Sequence, residues 1–104
     1  MAELIRVDDH RAELSGELLF DTVVPLMKEG RYMMAASKGQ WCVDMARVSR
    51  VSSVGVALLL DWIRLASESD VEFKIEAMPS HLEPIISISD LDELFAPFLA
   101  TQAT

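Results

Sequence analysis

The 104-residue sequence has one cysteine, two histidines, four glycines and four prolines. Cys42, alone, closes no intramolecular disulfide, a pattern expected of a protein kept in a reducing compartment. The longest apolar run, counting Gly55 with it, extends from Val54 to Leu60, where Asp61 interrupts it. A helix that crosses a bilayer needs about 20 such residues. The N-terminal MAELIRVDDH has no basic stretch leading into an apolar one, so no secretory leader is expected. Cations are also scarce. Nine Lys and Arg against seventeen Asp and Glu leave a net charge of -8, which repels phosphate backbones and anionic headgroups alike. Neither nucleic-acid binding nor direct membrane insertion is expected, and the cytoplasm is the expected location.

The motifs of common enzyme classes are missing too. The chain contains no Gly-x-Gly-x-x-Gly, no Gly-x-x-x-x-Gly-Lys-Ser/Thr and no His-Glu-x-x-His. Ser53 has Gly55 two residues after it but Val51 two residues before it, which breaks the serine elbow of hydrolases. His10 and His81, with one cysteine, make no zinc spacing, and they suit a solvated turn and the start of a helix. Cys42 within WCVDM reads as a small strand hydrophobe whose burial raises its pKa. Asp44 has no second group with which to act as a general base. The expectation is a non-enzyme with no cofactor and no metal.

What is present is a foldable mixture, 51% apolar and 25% charged, of a length that suits one domain over residues 1–104. Glu3 to Val7 and Ala12 to Leu18 suggest a hairpin turning at Asp8-Asp9-His10. Phe20, Val23, Val24 and Met27 recur at helical spacing. Gly30 offers a stop, and a weaker helical stretch runs from Tyr32 to Ser37. Trp41 to Met45 reads as a buried central strand. Ser53 to Ser67 reads as a helix capped by Ser52 or Ser53, and Val71 to Glu76 alternates as a strand. Ser80-His-Leu-Glu83 and Asp90-Leu-Asp-Glu93 match capping boxes. They predict a helix to about Ser87 and a terminal one over Leu94 to Leu99, with residues 100–104 fraying. The alternation predicts an α/β fold, a mixed four-stranded sheet flanked by helices.

The helix from Ser53 carries more apolar surface than one packed face requires. Ser53, Ala57, Asp61, Arg64 and Glu68 share a narrow stripe, while Val54, Val56, Leu58, Leu60, Trp62 and their neighbours cover the rest. Either neighbouring helices of the same domain cover the flanks, or a partner does. Before it, Arg47-Val-Ser-Arg-Val-Ser-Ser53 brings two cations and three hydroxyls toward a helix N-terminus. That end suits an anion, including a phosphate attached to serine, as well as simple capping.

The run from Val43 to Leu60 resembles the signature of STAS domains, with Asp44, Val48, Val51, Ser53 and Gly55 in the matching places. In that family Val48 and Val51 fall in a short loop between strand and helix. Leu14-Ser-Gly-Glu-Leu18 resembles the family's earlier Leu-x-Gly-x-Leu element. Through Ser49-Arg-Val and Gly55 to Leu60, the chain is most similar to the small STAS subunits of Mla phospholipid-transport ABC systems. The resemblance implies the STAS fold and places Ser53 at the family's phosphorylatable position. Two residues depart from the pattern: the preceding Asp is Ser52 and the following small residue is Val54.

It further implies a non-catalytic accessory subunit that binds the ABC-transporter ATPase, cytoplasmic and peripheral to the inner membrane through that partner. The expected partner-binding residues are Ser52, Ser53, Val54, Val56, Ala57, Leu60, Asp61 and Arg64. The alternative is an anti-sigma-factor antagonist that captures an anti-sigma kinase and is released when Ser53 is phosphorylated.

Overall fold

The computed structural model describes residues 2–99. Strands β1 (Ala2–Asp8) and β2 (Arg11–Leu18) form the expected hairpin; helix α1 (Val23–Ala35), strand β3 (Gln40–Val51), helix α2 (Ser53–Glu68) and strand β4 (Glu72–Glu76) follow. A 3₁₀ turn at Ser80–Leu82 leads into α3 (Glu83–Ile88), and α4 (Asp92–Phe95) runs into a second 3₁₀ turn at Ala96–Phe98. The sheet order is β1-β2-β3-β4, with β1 antiparallel to β2 and the other neighbours parallel. Two successive parallel crossovers advance in the same direction across the sheet. Right-handed connections therefore put α1 and α2 on one face. The expected mixed four-stranded sheet is present.

Period two sorts the strands. Leu4, Ala12, Leu14, Leu18, Trp41, Val43, Met45, Phe73 and Ile75 are buried beneath the helices. At the centre Trp41 stacks on Phe73 with centroids 5.4 Å apart, and Trp62 of α2 meets Trp41 edge-on at 5.2 Å. Each such pair contributes about 0.5–1.5 kcal/mol beyond the area it buries.

Several boundaries differ from the sequence reading, each for a local reason. Gly30 does not stop α1; it lies inside the helix because a Cβ there would stand 2.3 Å from the Trp62 ring. The Trp62 Nε1–H donates to the Met27 carbonyl at 3.4 Å, so the indole is seated in a notch on α1. Phe20 and Val24 face outward, 83% and 59% exposed, because α1 begins at Val23 and buries Val23, Leu26, Gly30 and Met34.

Strand β3 runs on to Val51, six residues past the expected Met45, because its register with β2 shifts twice, between Glu13 and Ser15 and again between Gly16 and Glu17. Val48 and Val51 accordingly sit in a bulged strand and not in a loop. Neither capping box forms. The N-cap positions of α3 and α4 are Leu82 and Leu91, without side-chain cap bonds, and a 3₁₀ turn takes up Ser80. Residues 100–104, expected to fray, lie outside the described residues.

The sheet face away from the helices carries polar residues. Arg11 of β2 reaches Asp44 Oδ2 at 3.1 Å and Glu76 Oε1 at 2.5 Å, and its Nη1 lies 3.6 Å from the Cys42 sulfur. Asp44 also accepts the Ala46 N–H at 2.9 Å, which ties its carboxylate to the first bulge of β3. The guanidinium holds the Glu76 carboxyl below its ordinary value, while burial, with Glu76 adding to it, pushes the Cys42 thiol up to about 11. His10 lies exposed in the hairpin turn, its Nδ1 3.2 Å from the Gln40 carbonyl oxygen, and His81 is exposed in the first 3₁₀ turn.

Gly30→Ala reverses the usual sign of a helical Gly→Ala change. Where helix propensity alone favours alanine by about 1 kcal/mol, overpacking against Trp62 makes the variant less stable by about 1–3 kcal/mol in urea unfolding. In a Trp62→Leu background, itself less stable, the same Gly30→Ala change is expected to cost less, the mark of direct coupling between the two sites. Cys42 is expected to alkylate with iodoacetamide far more slowly at pH 8 than an unperturbed thiol. Its rate rises as the pH approaches 11, and the ordinary rate returns in urea.

Candidate docking surface

The start of α2 is built at the C-terminal end of β3. Ser52 has extended backbone, and its Oγ accepts the Val54 N–H at 3.3 Å, so Ser52 is the N-cap. The Ser52 N–H donates to the Leu18 carbonyl at 3.2 Å, and the Gly55 N–H to the Ser52 carbonyl at 2.9 Å, which anchors this turn to the end of β2. Gly55 is required by close approach, since a Cβ there would meet Val51 Cγ2 at 2.1 Å. With the cap taken by Ser52, Ser53 begins the helix with its side chain exposed.

The expected partner-binding residues separate into two groups. Ser53, Ala57 and Arg64 are exposed, and Ser52, Val54, Leu60 and Asp61 are half-buried around them. Val56 is 5% exposed and belongs to the core, beneath the helix with Leu58, Leu59, Trp62 and Ile63. It is removed from the surface because its position on the helix is turned toward the sheet. The rest of α2's apolar excess is mostly covered within the domain: Val54, Leu60 and Leu65 pack against the core as partly buried side chains. Arg47 and Arg50, expected at the helix N-terminus, stand on β3, where Arg50 lies 3.5 Å from Glu17.

One stretch of the surface stays open. A groove of about 590 Å³ is lined by Met27 of α1, by Ala57, Leu60, Asp61, Arg64 and other residues of α2, and by Leu94 of α4. Asp61 forms its polar wall. The side chain is 10% exposed and takes both oxygens into an ion pair with Arg31 of α1, at 2.7 Å from Nη2 to Oδ1 and 3.3 Å from Nε to Oδ2. Arg64 approaches the same Oδ1 at 3.4 Å. The hydrogen bond to Asp61 raises the Arg31 pKa above its ordinary value, so the guanidinium stays charged across the working pH range.

Met27, Arg31 and Leu94 were missed by sequence reasoning. Leu94 falls in the expected terminal helix, which the sequence gives no role at the surface. Arg31 lay beyond the point where the helix was expected to stop. Reading α1 as continuous would have placed Met27 and Arg31 one turn apart on one side of it, the only sequence signal that pointed to them.

This arrangement offers shape and charge. A small-residue entry (Ser53, Ala57), an apolar groove and a charged rim make it a candidate docking surface. Among the described residues, no group of three or more His, Cys, Asp or Glu side chains is arranged to hold a metal, and no helix is long and apolar enough to cross a membrane.

Over 57 residues the chain is 49% identical to the "Intermembrane phospholipid transport system binding protein MlaB" of Escherichia coli (strain K12), a stretch covering 53% of this chain and 54% of that protein. The protein of the same name from Shigella flexneri matches to the same extent. The chain thus spans about half the length of the curated relatives it matches.

The backbone is similar to that of an anti-sigma factor antagonist from Mycobacterium paratuberculosis, with a TM-score of 0.73 at 20% identity over 98% of this chain and 86% of the other. The anti-sigma factor antagonist SpoIIAA in its unphosphorylated form gives 0.69 at 16% identity over 99% and 90%. Both likenesses show a shared fold. The family described as "Mlab, STAS domain" matches residues 4–99, the whole sheet with all its helices, and the chain belongs to this STAS-domain family.

Proposed function

We propose that the protein is a non-catalytic accessory subunit of a phospholipid-transport ABC system. It binds the cytoplasmic ATPase through the N-terminal half of α2 and supports its assembly or activity. One observation carries this reading: Ser53 and Ala57 present a small-residue stripe beside an open apolar groove, on a helix whose remaining apolar surface the domain covers. The relatives that are 49% identical over part of the chain bear the name of a phospholipid-transport binding protein, which supports the choice of transport system. Binding would hold the protein at the inner membrane through the transporter.

The surface suits close approach. A residue without a long side chain lets another backbone or helix come near, and Leu60 and Leu94 then supply apolar area around the contact. Val54, Ser52 and Asp61 frame the approach without obstructing it, being half-buried.

A second reading, the partner-switching antagonist, is favoured by one feature. Ser53 is exposed at the first position of a helix while Ser52 provides the cap, so its hydroxyl is accessible to a kinase. A phosphate there would add about -1.5 to -2 charges to the docking surface. Two anti-sigma factor antagonists share the fold, at identities too low to carry their activity over.

Affinity purification of the tagged protein from its own cells is expected to recover an ABC ATPase and its permease. Ala57→Glu and Ser53→Glu each abolish that recovery while the thermal transition stays within about 3 °C of the parent, and Glu68→Ala, at the far end of the helix, leaves recovery unchanged. Recovery of a serine kinase or sigma regulator in place of the ATPase, with phosphate on Ser53, would establish the second reading instead.

A further inference from the structure

The groove on α2 does not end at α2. Its polar wall, the Arg31–Asp61 pair, is also the edge of a second hollow of about 460 Å³ on α1, lined by Lys28, Arg31, Tyr32 and Ala35. Each hollow carries an apolar group that the fold leaves uncovered, Tyr32 at 79% and Leu94 at 45% exposure. The charge lining these hollows is opposite to that of the molecule, with Glu68 beyond the lining but near enough to act on Arg31. The chain carries -8 overall, yet among the described residues lining the two hollows the only carboxylate is Asp61, and Arg31 and Arg64 already cover it. Lys28, Arg31 and Arg64 leave the patch net positive.

We infer that this double groove seats an amphipathic helix of the ATPase, with an apolar stripe flanked by acidic side chains. The inference rests on the docking reading and specifies the partner's chemistry. The apolar anchors lie on both sides of a cationic ridge. A helix meets such a surface with apolar residues at i, i+3, i+4 and i+7 and carboxylates at the edges of that stripe.

A second copy of the chain fits poorly, because a two-fold contact through this patch would set cations against cations. An anionic lipid surface fits poorly as well: three cations in a hollow act against a net charge of -8 that repels the membrane as a whole.

The test measures the affinity of the full-length protein for the purified ATPase of the same transport system, at about 50 mM and about 500 mM salt. The variants are Lys28→Glu and Arg64→Glu. Arg31 is left in place because its bidentate pair with Asp61 joins α1 to α2. Each variant is expected to bind about tenfold more weakly at the lower salt, with the deficit falling to about threefold or less at the higher. Ala57→Glu loses binding at both. Lys28→Gln and Arg64→Gln give the same order with smaller effects if charge reversal disturbs folding, which thermal unfolding reports.

Affinities of both charge variants within about twofold of the parent at about 50 mM salt, beside a non-binding Ala57→Glu, would overturn this inference and leave the docking reading standing. Normal binding by Ala57→Glu overturns both. Retention on phosphatidylglycerol vesicles that Lys28→Glu abolishes assigns the patch to lipid and overturns the inference.

Discussion

The structure depends on the contact between the Trp62 indole and the backbone of α1 at Gly30. Trp62 is fully buried, its ring edge lies where a Cβ of residue 30 would be, and its N–H is satisfied by the Met27 carbonyl. A buried indole without a hydrogen-bond partner carries a desolvation cost of about 1–3 kcal/mol. Only a helix-to-helix approach close enough to bring Met27 within reach avoids it, and only glycine permits that approach. The same ring continues into the edge-on contact with Trp41 and, through Trp41, the stack on Phe73. One side chain thus sets the depth of α2 against α1 and against the sheet.

The candidate docking surface follows from that spacing. With α1 and α2 held close, Arg31 reaches across to Asp61 in a bidentate pair, and the pair separates the two hollows. A more distant pair of helices would leave a single wider cleft, with Asp61 held by Arg64 of its own helix alone. Placing both helices on one side of the sheet also distributes charge. The two hollows gather Lys28, Arg31 and Arg64 against Asp61, with Glu29 and Glu68 elsewhere on the helices, while the uncovered sheet face holds the Arg11, Asp44 and Glu76 cluster, and the hairpin with the C-terminal turns carries much of the remaining acid. A molecule with a net charge of -8 can therefore present a locally positive surface, which directs a partner to one face.

The order of elements and the inward faces of the strands were legible in the sequence, because period two and period 3.6 survive wherever one face is buried. Leu14, Val43 and Ile75 fall where alternation puts them. The failures share a cause: local rules were overridden by contacts far away in sequence. Gly30 reads as a helix stop until Trp62, far along the chain, shows why it must be glycine. Beyond Met45 the bulges replace alternation by the spacing of Val48 and Val51, so a strand resembled a loop. Val56 reads as a surface residue because a helix that is apolar almost all round has no sequence mark for which flank faces the sheet. The groove was only half legible, since Leu94 joins it through tertiary packing of a four-residue helix.

Ser52 connects the local structure to the choice between the two functional readings. The family pattern has an aspartate before the acceptor hydroxyl, and serine and aspartate serve nearly equally as N-caps. The cap bond to Val54 is made here by a neutral oxygen, so α2 begins as the pattern requires while the surface loses one negative charge beside Ser53. A cap change with no structural consequence acts only on whatever reads the surface. Losing a carboxylate there removes a repulsion toward acidic partner side chains, consistent with the cationic rim about two and three turns further along. It also removes charge from the segment a kinase would have to recognise. Were Ser53 phosphorylated, its position in the first turn would let the helix N-terminus accept the charge, leaving the fold intact. The effect would then fall on the partner, and both readings converge on the same few square ångströms around Ser53 and Ala57, differing in whether that surface is meant to hold or to let go.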